Sequence, residues 1–217
     1  MTSPEDSYPS ATVVAVAASS IPGEFLVPEL VDAFAAQQPE FAVETTITDT
    51  AGVFEALRAG RVEVGFAGAE PDDVDLEATV VAADEIVLAV RADHELADGP
   101  VDVARLAATP LVERERGSGT RRSFTDALAE RGTPLVTDQP WTIRDTNEGL
   151  LDAVAAGEGV GVVSLWALER HAREDVRAVR LEGDPVTRCL YLVLRVDDDL
   201  GPAARTFVDL VRESART

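Results

Sequence analysis

Apolar and polar positions alternate along this chain in two rhythms. Thr12-Val13-Val14-Ala15-Val16-Ala17 is an unbroken apolar run, as expected of a strand covered on both faces of a parallel sheet. It ends at Ala18-Ser19-Ser20. Leu26, Leu30 and Phe34 then recur every four residues and predict a helix that stops at Gln37-Gln38-Pro39, with Pro28 in its first turn. Phe41 to Thr48 alternates, with Phe41, Val43, Thr45 and Ile47 on one face. Asp49-Thr50 opens a helix carrying Val53, Phe54 and Leu57 and ending at Gly60. Arg61 to Gly68 reads as a third strand. Strand, helix, strand, helix, strand is a βαβαβ unit, which predicts an α/β fold with a parallel sheet.

An acidic loop, Glu70 to Glu77, separates this unit from a long apolar strand, Glu85 to Val90, and the polar break Arg91-Ala92-Asp93-His94 places a crossing between lobes there. Pro110 to Arg114 starts a second lobe as a strand. Gly117-Ser118-Gly119-Thr120 and a helix to Arg131 follow, then the strand Trp141 to Arg144, a helix from Asn147 to Ala156, a strand from Gly161 to Ser164 and a helix from Leu165 to about Arg173. Cys189 to Val196 reads as a strand returning to the first lobe, and Pro202 to Arg212 as a closing helix. The expected organisation is a tail over residues 1–10, lobe I over 11–91 and 190–217, and lobe II over 92–189.

With 217 residues, 46% of them apolar, the chain can bury a real core as one large domain or two small lobes. Charge narrows the functions available. Forty Asp and Glu face 19 cations for a net −21, and every cation is arginine. Without lysine there is no P-loop, Schiff base or lysine general base, and the acidic balance argues against direct nucleic-acid binding. Two histidines and one cysteine leave little for a metal cage, and Cys189 has no partner for an internal disulfide. Such a composition suits concentrated salt, where the Debye length falls to about 3 Å at 1 M and like charges repel weakly. No apolar run is long enough to span a membrane, and the acidic start lacks the basic region of a signal peptide, so a cytoplasmic protein is expected.

One segment stands out chemically. In Arg114-Glu115-Arg116-Gly117-Ser118-Gly119-Thr120-Arg121-Arg122, four arginines share nine residues, where an even spread would place about one. A Gly-Ser-Gly-Thr turn between strand and helix presents free backbone N–H groups, two hydroxyls and the positive end of a helix dipole. That suits a carboxylate or an inorganic oxyanion. Ser19-Ser20, Thr48-Asp49-Thr50 and Asp145-Thr146-Asn147 share its grammar, each ending a strand and opening a helix. Singly these are helix caps; together they could converge on a cleft at the carboxyl ends of the strands. Gly157-Glu158-Gly159-Val160-Gly161 reads as a turn, His94 and His171 as surface or junction residues, Trp141 and Trp166 as core, and Asp197-Asp198-Asp199 as a solvated loop.

The order of these motifs resembles the effector-binding domain of LysR-type transcriptional regulators. The resemblance lies in Ala18 to Pro28, Leu57 to Phe66 (with Glu63 where Asp is usual), Ala92 to Leu96, Glu115 to Arg121 and Val154 to Gly161, and it runs from about Ala11 to Arg212. It implies two Rossmann-like lobes of the type II periplasmic-binding-protein kind joined by two crossover strands, a small and often anionic effector between them, and dimers through the first lobe. Carried over by position, the effector contacts would be Ser19, Ser20, Thr48, Thr50, Gly117, Ser118, Gly119, Thr120 and Thr146. The family's DNA-binding helix-turn-helix would precede Ala11, so a stand-alone sensor domain, a DNA-binding partner chain or a removed part is expected, with no direct nucleic-acid binding, membrane or cofactor. Two other functions stay open. One is a transporter's solute receptor for an oxyanion such as molybdate, tungstate or phosphate. The other is a carboxylate-based lyase or dehydratase on the same fold.

Overall fold

The computed structural model describes residues 13–72, 74–196 and 199–215. The tail expected over residues 1–10, and Asp197 and Asp198, lie outside them. One sheet runs through the molecule. Its first part has β1 (Val13–Ser19) between β2 (Ala42–Thr48) and β3 (Val64–Ala67), all parallel. Its second part has β5 (Leu111–Arg114) parallel to both β6 (Trp141–Arg144) and β7 (Val160–Ser164). Two long antiparallel strands lie between them, β4 (Leu76–Arg91) and β9 (Val186–Arg195), with β8 (Val176–Val179) paired to β4.

The two middle strands are the crossovers. β9 pairs with β3 through Gly65↔Val193 and with β4 from Leu76↔Arg195 to Ile86↔Val186. β4 in turn pairs with β7 and β8 over Ile86–Arg91. The change of partner therefore falls inside β4, beyond a bulge at Val80/Ala82, and not at Arg91–His94, where the polar break suggested it. The apolar run from Ile86 marks where β4 is buried on both faces. Its earlier part, from Leu76, is half exposed.

Helices cover both faces. A wide helical turn, Pro22–Leu26, leads into α1 (Val27–Gln37), followed in order by α2 (Thr50–Arg58), α3 (Val103–Ala107), α4 (Gly119–Glu130), α5 (Asn147–Ala155), α6 (Leu165–Arg170) and α7 (Pro202–Ser214). α7 comes from the end of the chain yet packs on the first lobe. Phe207 lies edge-on to Phe34 of α1 and Phe66 of β3, at 5.2 and 6.3 Å between centroids. The second lobe has its own core, with Leu106, Phe124 and Leu128 against Leu88 and Val162. Trp141 departs from its expected place in the core. It sits on the edge strand β6, 39% exposed, beneath the Arg121 guanidinium at 5.6 Å.

Candidate effector cleft

The carboxyl ends of β1 and β2 in one lobe face the carboxyl end of β5 in the other, so the helices that follow meet nearly end to end. The contact is close enough to require glycine. A Cβ on Gly117 would overlap the Asp49 carboxylate, one on Gly119 would lie 3.1 Å from Thr50 Oγ1, and one on Gly68 would lie 3.2 Å from the Arg188 guanidinium. Between these surfaces is a cavity of about 10 Å³, room for roughly one water molecule.

Six of the nine predicted residues line it: Ser19, Ser20, Thr50, Ser118, Gly119 and Thr120. Gly117 lies at its edge, against Asp49. Two do not reach it. Thr146 is the N-cap of α5, where its hydroxyl accepts from Gly149 N at 3.0 Å. Thr48, at the end of β2, lies against Gly52 in the first turn of α2. Both were expected in the cleft because a cap and a ligand contact use the same residue types at the same place.

The polar groups around the cavity differ in what they already hold. Asp49 caps α2, accepting from Gly52 N at 2.7 Å. Ser118 is the N-cap of α4 but makes no side-chain cap bond. Thr50 Oγ1 is buried without a hydrogen-bond partner.

Two buried arginines shape the site, and neither was predicted as a ligand contact. Arg188, on β9, faces its cross-strand partner Asp84 on β4. Nε and one terminal nitrogen reach Asp84 Oδ2 at 2.9 and 2.8 Å, while Ser164 donates to Asp84 Oδ1 at 2.9 Å. The other terminal nitrogen, with no hydrogen bond among the described residues, points toward Gly68 and Gly119 beside the cavity. Burial pulls the Arg188 pKa below the ordinary guanidinium value; Asp84 opposes this, and the Arg114 charge adds to it. Arg114 itself, on β5, donates to Asn147 Oδ1 at 2.6 Å and Asp145 O at 2.8 Å and pairs with Glu115 at 2.9 Å. It also reaches across to Ser20 Oγ at 3.5 Å, and Asn147 crosses to Glu24 at 3.0 Å. The Asp49 and Glu115 carboxylates line the same small space, so the charge around it is mixed.

One carboxylate in the second lobe is less well matched. Glu113, 2% exposed, meets Arg121 at 2.9 Å, but this ion pair lacks hydrogen-bond geometry. Burial raises the Glu113 pKa to about 7, with Arg121 opposing. Among the described residues there is no cluster of three or more groups able to hold a metal ion, and no helix is long and apolar enough to cross a membrane.

A two-lobed sheet with paired crossover strands and a polar cleft between facing helix ends defines an effector-binding fold. The LysR substrate binding domain family matches residues 9–216, and the chain belongs to that family. Among its relatives, the phosphonates import ATP-binding protein PhnC of Anaeromyxobacter dehalogenans is 39% identical over 91% of this chain, and the RuBisCO operon transcriptional regulator of Allochromatium vinosum 32% identical over 88%. The chain spans only 40% and 63% of the lengths of these two proteins. With no lysine it has no P-loop, so ATP binding does not carry over from the first. The fold is also that of the regulatory domain of CcmR from Synechocystis, solved in complex with 2-PG. That likeness has a TM-score of 0.82 at 21% identity over 95% of this chain and 98% of that one.

Proposed function

We propose that this domain senses a small anion between its lobes, an oxyanion or small carboxylate, and passes the signal by lobe closure to a DNA-binding part of a LysR-type regulator. The observation that carries the reading is the small polar cavity itself. It faces the free side of Arg188 and the unpartnered Thr50 hydroxyl, and such groups gain most from a charged acceptor. Thr50 and Ser19 belong to one lobe, Ser118 and Thr120 to the other, so an anion reaches its second set of donors only when the lobes close. That the Synechocystis domain was solved with 2-PG supports a small-molecule effector. The regulator among the relatives supports a role in transcription rather than turnover. A homodimer through lobe I, a DNA-binding partner and a salt-adapted cytoplasmic setting complete the reading.

Thermal-shift screening of oxyanions and small carboxylates in molar potassium chloride tests it, with small-angle scattering for closure. At least one anion should stabilise the protein and contract it at constant mass. Thr50→Val removes only the orphan hydroxyl and should weaken that anion about tenfold with the fold intact. An anion bound equally by both forms, or a ligand consumed by the protein, overturns the proposal.

A further inference from the structure

Among the described residues two carboxylates are buried, Asp84 and Glu113, and they are held very differently. Asp84 takes three hydrogen bonds from Arg188 and Ser164. Glu113, on β5 against the first turn of α4, has the Arg121 guanidinium at 2.9 Å without hydrogen-bond geometry, and its Oε2 has no hydrogen-bond partner. Arg121 in turn lies over Trp141, 5.6 Å from the ring centroid, on the partly exposed edge strand β6. Other charges are committed or turned away. Arg122 of α4 lines the groove toward α2, Asp126 and Glu130 on its later turns are exposed, and Arg144 of β6 pairs with Glu158. β6 sets Ile143 in register with Glu113, and β7 has no ionisable side chain. Arg114 beside it on β5 pairs with Glu115, and α5 packs on the opposite face, against Val112.

A buried carboxylate with one poorly aligned counter-ion and an unpartnered oxygen sits near the balance between its charged and neutral forms. We infer that Glu113 is a proton-operated catch on α4: ionised, it holds Arg121 against β5, and on taking up a proton it lets Arg121 and the first turn of the helix go. Burial sets the exchange near pH 7, with Arg121 opposing it. Arg121 follows Thr120, which lines the cleft cavity, whereas Glu113 does not line it. Release therefore reaches the cleft through one helical turn, without contact between Glu113 and a ligand. Resting on the reading of that cavity as an anion seat, the sign of the coupling follows. Neutral Glu113 leaves the Arg121 charge uncompensated beside the helix N-terminus, so an anion binds more tightly below pH 7 than above it. By linkage, binding the anion draws a proton onto Glu113.

The chain has two tryptophans, which allow the catch to be read without any ligand. Trp166→Phe leaves Trp141 as the sole reporter, and its fluorescence should step with a midpoint near pH 7. Adding Glu113→Gln, close in shape to the parent, should abolish the step. A flat profile in Trp166→Phe overturns the catch. So does an equal step in the presence of Glu113→Gln, which would belong to a histidine. Sulfate, whose charge is constant over this range, probes the cleft by calorimetric titration of the full chain at fixed ionic strength. Its dissociation constant should be about threefold lower at pH 6 than at pH 8 in the parent, and equal at the two in Glu113→Gln. A constant that does not change with pH in the parent overturns the coupling, and the Trp141 step alone then decides the catch. Absence of sulfate binding at both pH values counts against the anion seat and not against the catch.

Discussion

The N-termini of α2 and α4 meet across the cleft and look alike in sequence, yet they differ in what their capping residues hold. Asp49 gives its side chain to Gly52 N at 2.7 Å, and Thr146, Ser164 and Asp102 serve α5, α6 and α3 in the same way. Ser118 does not cap its own helix, and Thr50 beside it has no partner. Committed polar groups hold the framework in shape, whereas uncommitted ones face the space between the lobes. The first kind should register in stability and the second in binding.

The most committed group is Asp84, held by Arg188 and Ser164 on three neighbouring strands. Asp84→Ala leaves a buried guanidinium unpaired and should lower unfolding free energy by about 3–5 kcal/mol, read from urea titrations. A loss under 1 kcal/mol would mean that the crossover pair is not what fixes Arg188.

Glu113 tests the middle ground, since it is buried but imperfectly matched. Its folded pKa of about 7 lies above the unfolded carboxylate value near 4.5. Its stabilising share is thus full below about pH 4.5 and is lost as pH rises through 7. Glu113→Gln should match the parent near pH 4 and exceed it by up to about 3 kcal/mol at pH 8. A pH-independent difference between the two proteins would show that Glu113 is ionised at the ordinary value.

The uncommitted hydroxyls should behave in the opposite way. Ser118→Ala with Thr120→Ala should leave the melting temperature of the free protein within a few degrees. It should weaken the anion found by screening by roughly 3 kcal/mol, about a hundredfold. The mirror-image variant is Thr146→Ala, which should cost about 1 kcal/mol of stability as a lost cap and nothing in binding. Binding loss in Thr146→Ala, or stability loss alone in the serine–threonine variant, would erase the distinction between the two helix ends.

Much of this was legible in the sequence. The strands Trp141–Arg144 and Gly161–Ser164, and the helices opening at Thr50, Asn147 and Pro202, were predicted to within a residue or two at those ends, because apolar periodicity and turn residues agree there. The turn before α4 was visible for the same reason, although the helix already opens at Gly119 rather than after Thr120. Arg188 was not. It lies in the part of β9 before Cys189, where the apolar run had not begun, and its meaning depends on Asp84, far away in sequence. A charge inside a buried strand is a signal only once the partner strand is known. Thr48 and Thr146 lie outside the small cavity for a different reason: sequence shows a hydroxyl at a helix opening but not which way it faces.

The interleaving of β4 and β9 also governs how the chain can be made. β3, buried along its whole length, lies between β1 and β9, and β9 leaves the ribosome more than a hundred residues after β3. Until Val186–Arg195 emerges, the first βαβαβ unit has an unpaired apolar edge and lacks the α7 helix that covers Phe34 and Phe66. Pairings so distant in sequence fold slowly and leave such edges exposed to other nascent chains. The first βαβαβ unit is therefore completed only after the second lobe has been synthesised.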